Sequence, residues 1–170
     1  MTSTHQQTPT ATAIAGPTRY MTNLAALLVD DIDPAHWASR HGTTINHPAF
    51  VLGHCGYYAA ICVEMLGGDM ETGADEQTLF DHEAQCIDDA SIYPDKQRTI
   101  DAFNARLAAV ADFIESCDES IFARSSEHTP FADRFPTLGG VAAFMLIGHI
   151  PFHLGQLSAW RRVAGMGSAT

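Results

Sequence analysis

The chain has 170 residues, 46% hydrophobic and only 17% charged, which fits one domain with a substantial core and excludes wholesale disorder. Nine Lys and Arg against twenty Asp and Glu give a formal charge of −11, which excludes the clustered basic surface that nucleic acid or an anionic membrane would need. The four cysteines, Cys55, Cys62, Cys86 and Cys117, form no CxxC pair and predict free thiols in a reducing compartment.

Residues 1–17 are rich in Thr, Gln and Ala, with neither a basic start nor an apolar stretch of signal-peptide length. They predict a flexible tail, followed by a single domain over 18–170 in a cytoplasmic protein. The first helix is expected from about Thr18 to Ile32, with Met21, Leu24, Leu27 and Leu28 on one face. Asp33-Pro34 reads as an N-cap and a first-turn proline, opening a short turn of helix through Trp37.

His47-Pro48 repeats that signal and opens the second helix, which Gly67-Gly68 ends. A long acidic connection follows to about Pro94, with a short helix expected near Leu79 to Ile87. No Lys or Arg lies between Arg40 and Lys96, whereas ten of the twenty acids do. Their spacing does not match a calcium loop, so the segment reads as a solvated acidic connection.

Asp95 caps the third long helix, whose apolar positions Ile100, Phe103, Leu107, Val110 and Ile114 are spaced 3, 4, 3, 4, as in a bundle seam. Thr137 is the expected N-cap of the last helix, which runs to about Val163 and ends on Arg161 and Arg162 at the negative end of its dipole. Its longest apolar run, Val141 to Ile147, is far short of a membrane span. Four long amphipathic segments and no strand pattern predict an all-α four-helix bundle, with helix order left open by the two long connections.

Among nine histidines, His149 and His153 share i, i+4 spacing, but chance alone supplies about half of one such pair. Their position says more. An ideal 100° wheel places both on a face with Leu138, Ala142, Met145, Leu146, Phe152, Leu157 and Trp160, where Gln156 is the only other polar residue. His54 likewise shares a face with Phe50, Val51, Tyr58, Ile61 and Met65. Each imidazole is either satisfied by a neighbouring hydroxyl or carbonyl, or it is a ligand. Three inward imidazoles across a core suit zinc, nickel, copper or iron, and three protein ligands leave positions open for chemistry. Tyr58, Gln156 and His47, the last at the helix mouth, are further candidates for positioning a ligand or touching substrate. Cys55 and Cys62 read as small buried hydrophobes.

The stretch 47–55, His-Pro-Ala-Phe-Val-Leu-Gly-His-Cys, resembles the second-helix motif of the DinB/YfiT-like superfamily. Phe135-Pro-Thr-Leu-Gly-Gly at 135–140 and His-Ile-Pro-Phe-His-Leu-Gly-Gln-Leu-Ser-Ala-Trp-Arg-Arg at 149–162 resemble its fourth-helix signature. The resemblance implies a four-helix bundle holding one divalent metal, nickel or zinc, through His54, His149 and His153. It also implies a homodimer and a small-molecule substrate, with a low-molecular-weight thiol as cosubstrate of a transferase or isomerase.

Two departures matter. Ile150 stands where many relatives carry an acid, so no carboxylate base lies beside the ligands in sequence. Pro151 sits between two ligands and is expected to kink the helix and alter the aim of His149. A thiol cosubstrate needs no carboxylate base, because a metal deprotonates it outright. A metal-dependent hydrolase and a non-catalytic metal-binding stress protein are the alternatives.

Overall fold

Caps and prolines set the helix starts in the computed structural model, which describes residues 8–169. The side chain of Thr8 accepts from the backbone N–H of Ala11, and Pro9 supplies the fixed φ of a first helical residue, so α1 spans Pro9–Val29. This corrects the expected tail over 1–17, of which residues 1–7 lie outside the described residues. The remainder is helical because Ala is the best helix former and Ala11, Ile14 and Ala15 are buried against the rest of the fold. Pro17 inside α1 costs a hydrogen bond, and the helix tolerates it.

Asp33 caps a 3-10 turn at Pro34–His36, as its sequence predicts. His47 and Pro48 open α2, Pro48–Met65, and Gly67 takes the left-handed φ of 88° that ends it. The short helix in the acidic connection, α3, lies at Ala74–Phe80, earlier than expected, because Glu76 reaches back to the N–H of Gly73 and starts it there. Asp95 accepts from the N–H of Arg98 and opens α4, Lys96–Ser116. A further short helix, α5, covers Glu119–Ala123.

The last helical rod is interrupted. Thr137 caps α6, Leu138–Ala143; a π turn follows at Phe144–His149; α7 runs from Ile150 to Val163. Pro151 lacks the N–H that would bond Ile147, and its ring crowds that carbonyl, so a wider turn just before it relieves the conflict. The extra residue in the turn delays the core face that follows. Leu138, Val141 and Ala142 are buried before it, Met145 and Leu146 within it, and Ile150, Leu154, Leu157, Trp160 and Arg161 after it. Phe152, which an unbroken wheel turns inward, is 68% exposed.

The fold is all-α, with no strand among the described residues. The four long segments are neighbours in the ring order α1, α4, α2, α7 and share one core. Buried Arg161 ties its ends together, donating to the Leu28 carbonyl at 2.9 Å and to both carboxylate oxygens of Asp31. Among the described residues one helix, Leu138–Val163, is long and apolar enough to cross a membrane, a property shared by core helices of this kind. The expectation of no such span, drawn from its longest unbroken apolar run, is corrected to that extent: the π turn keeps Leu138–Val163 a single rod, and one face of it packs on α1 and α2.

Candidate metal centre

His54 projects from α2 toward the π turn, and His149 and His153 project from the last rod toward α2. Nε2 of His149 lies 3.2 Å from Nε2 of His54 and 3.0 Å from Nε2 of His153. The three ligand atoms fall within 4.8 Å of one another. A metal held by nitrogens at about 2.0–2.1 Å sets adjacent donors about 2.9–3.4 Å apart, so these separations suit a shared cation.

The far side of each ring decides what the near side offers. His54 donates Nδ1–H to the carbonyl of Phe80 at 2.7 Å, which leaves Nε2 with its lone pair facing the cluster. His153 does the same, donating Nδ1–H to Oε1 of Gln156 at 3.2 Å. Gln156 therefore orients the His153 imidazole. Nδ1 of His149 is buried without a partner, so hydrogen bonding within the protein leaves this imidazole unsatisfied.

Burial, and next the charge a protonated His153 would place beside them, pushes His54 down to about 4 and His149 down to about 3. Burial lowers His153 as well, against a smaller opposing effect of Gln156. All three rings are neutral at pH 7, the state in which imidazole binds metal. Two lone pairs already fixed on the centre, three neutral rings and an orphaned buried nitrogen fit a divalent cation.

A cavity of about 600 Å³ opens above the triad, walled by Tyr57, Ile61, Met65, Phe131, Phe144 and Met145. Tyr58 stands between its wall and the ligands, its ring centroid 4.7 Å from that of His54 and 5.4 Å from that of His149. Its hydroxyl donates to Asp81 Oδ1 at 2.6 Å. Asp81 and His82 follow α3 and line the same cavity. Sequence spacing gave no sign of them, because they reach the site by the path of the acidic connection.

His47 does not join the site. Its Nδ1 accepts from the N–H of Phe50, capping α2, and its Nε2–H donates to the carbonyl of Ile87 at 3.0 Å. The ring is fully buried edge-on against Tyr93, and burial lowers its pKa. Its expected role near the ligand is thereby corrected: both ring nitrogens are occupied by backbone. Cys55 and Cys62 are buried and unpaired, with burial holding both thiols protonated, as hydrophobes rather than ligands.

The model of the DinB superfamily matches residues 18–157, most of the chain and all three clustered histidines. The chain belongs to the DinB superfamily. No match was found among curated proteins or among solved structures. The DinB match spans α2, α3, the π turn and the first half of α7, and so takes in all three histidines of the triad.

Proposed function

We propose that this DinB-family protein binds one divalent transition metal, nickel or zinc, at His54, His149 and His153, and uses it to activate a small thiol for transfer or isomerisation chemistry. One observation carries the reading: three neutral imidazoles converge beneath an apolar cavity with no carboxylate among the converging donors. Three protein ligands leave coordination positions for an incoming molecule. A bound cation would supply Lewis acidity, which favours the thiolate form of a coordinating thiol at neutral pH.

The protein residues do the rest. Phe80 and Gln156 hold two ligand tautomers. Met65, Phe131 and Phe144 exclude water from the bound molecule. Tyr58 presents its ring to the cluster and its hydroxyl to Asp81. The family resemblance further supports a homodimer, and four unpaired cysteines support a reducing, cytoplasmic setting.

A second reading, a metal-dependent hydrolase, draws on His82, which brings to the cavity a base that the neighbouring sequence lacks. Cobalt(II) substitution separates the two. Glutathione, mycothiol, bacillithiol and coenzyme A are titrated into the cobalt protein, and at least one should produce a sulfur-to-cobalt charge-transfer band in the near ultraviolet. No band at millimolar thiol, together with hydrolysis of a generic ester or amide, would favour the hydrolase.

A further inference from the structure

The acidic connection delivers one arrangement that the metal ligands do not use. Asp81 Oδ1 is the common acceptor of three hydrogen bonds: from Tyr58 O–H at 2.6 Å, from the backbone N–H of His82 at 2.6 Å, and from Nδ1–H of His82 at 2.8 Å. The His82 N–H also lies 3.0 Å from the Tyr58 hydroxyl oxygen. A carboxylate held this way is a poor base, and these bonds hold Asp81 down to about 2. Its effect is on the imidazole. Bonding at Nδ1–H fixes the tautomer and leaves the Nε2 lone pair free, the same division of labour by which a carboxylate orients a catalytic histidine elsewhere.

His82 is 72% exposed in its side chain and lines the cavity above the triad, so its Nε2 can meet both the contents of the cavity and solvent. We propose that His82, oriented by Asp81 and Tyr58, is the proton-transfer residue of this cavity, and that it accepts the S–H proton of a thiol entering the metal site. The inference rests on the thiol reading above. In this step the S–H bond breaks, its electron pair stays on sulfur, where a bound cation would stabilise it, and the proton forms an N–H bond at His82 Nε2. No oxidation or reduction occurs. The imidazolium then passes its proton to solvent or to the product. Asp81 and Tyr58 are positioning residues.

The charged and titratable groups facing His82 are Asp81, Glu83, whose carboxylate is 3.9 Å from Nε2, Tyr58 and, through space, His54. Asp81, and to a lesser degree Glu83, favour the imidazolium.

The test follows phenylmethanethiol binding to the full-length cobalt(II) protein by stopped-flow growth of the charge-transfer band across pH 5–9. His82→Gln, an exposed change expected to fold, should retain cobalt and slow band growth at least tenfold at pH 7. Asp81→Asn should shift the pH midpoint of the rate downward, because it removes the charge that favours protonated His82; a purely structural role would lower the rate without moving the midpoint. Histidine NMR titration of the zinc protein provides the independent readout, with the His82 pKa falling in Asp81→Asn. A band that forms in His82→Gln at the wild-type rate overturns this inference and leaves the thiol reading standing. No band in the wild type with phenylmethanethiol or with any of the four thiols named above overturns both.

Discussion

The carbonyl oxygen of Phe80 lies 2.7 Å from Nδ1 of His54, so the C-terminal end of α3 sets the tautomer of the clustered imidazole on α2. Backbone acceptors in this position fix ring orientation and raise ligand basicity, and their loss typically costs about 10–100-fold in metal affinity. The acidic connection is thus part of the site as well as a link between helices.

Gly53 is where α2 accommodates that arrangement. A Cβ there would sit 2.2 Å from the buried Phe80 ring. Gly53→Ala should displace Phe80 and its carbonyl together. Chemical denaturation should show a loss of about 1–3 kcal/mol, and competition with a chromophoric chelator should show weaker metal binding. Wild-type affinity in this variant would mean that the Phe80 carbonyl does not position His54.

His47→Ala separates a structural histidine from a metal-binding one. The variant loses the α2 cap and the imidazole bond to the Ile87 carbonyl, which keeps the N–H of Asp89. A cap is worth about 0.5–2 kcal/mol, and the emptied space of a fully buried ring adds to the cost. Melting temperature should fall while metal content per folded chain stays at the wild-type level.

Pro151→Ala restores an N–H that can bond the Ile147 carbonyl and removes the ring that crowds it. Relaxation to a regular helix would stabilise the rod locally by up to about 3 kcal/mol. It would also withdraw the extra residue of the π turn, turning His149 and His153 relative to His54 on α2. Hydrogen exchange across 147–155 should slow, and metal affinity should fall. If neither changes, the π turn is incidental to the site.

The sequence made the helix starts readable because each is local chemistry: Asp33-Pro34, His47-Pro48, Asp95 and Thr137 all cap where they were expected to. The 3, 4, 3, 4 spacing likewise marked the buried side of α4, where Phe103, Leu107, Val110 and Ile114 are buried. The inward faces of His54, His149 and His153 were readable for the same reason. Three features were not. Pro17 looked like a boundary, yet burial of Ala11, Ile14 and Ala15 carries α1 through it. The π turn breaks the 3.6-residue period on which any wheel depends, and Phe152 consequently faces out. Asp81 and His82 meet Tyr58 only through tertiary folding of a segment whose charge alone suggests a solvated loop.

Asp31 and Arg161 provide a test of the fold away from the site. The Arg161 side chain is 3% exposed and that of Asp31 61% exposed, so the arginine bears the burial. Asp31→Asn should destabilise the protein by about 1–3 kcal/mol, less than a fully buried pair, because solvent screens the carboxylate side. The hydrogen bond to Arg161 lowers the folded-state pKa of Asp31. Its contribution is therefore present above the unfolded carboxylate value of about 3.9 and is lost as pH falls through the lower folded value. Urea denaturation at pH 7 and pH 3 should show a smaller difference between wild type and Asp31→Asn at pH 3.

Elemental analysis of the purified wild type beside the double variant His149→Ala, His153→Ala tests the central claim most directly. The variant keeps His54 and the other histidines, including His36 and His128, and leaves the apolar core of α7 intact. One equivalent of divalent transition metal per chain in the wild type, and none in the folded double variant, is the predicted result. Full occupancy in the double variant would contradict it.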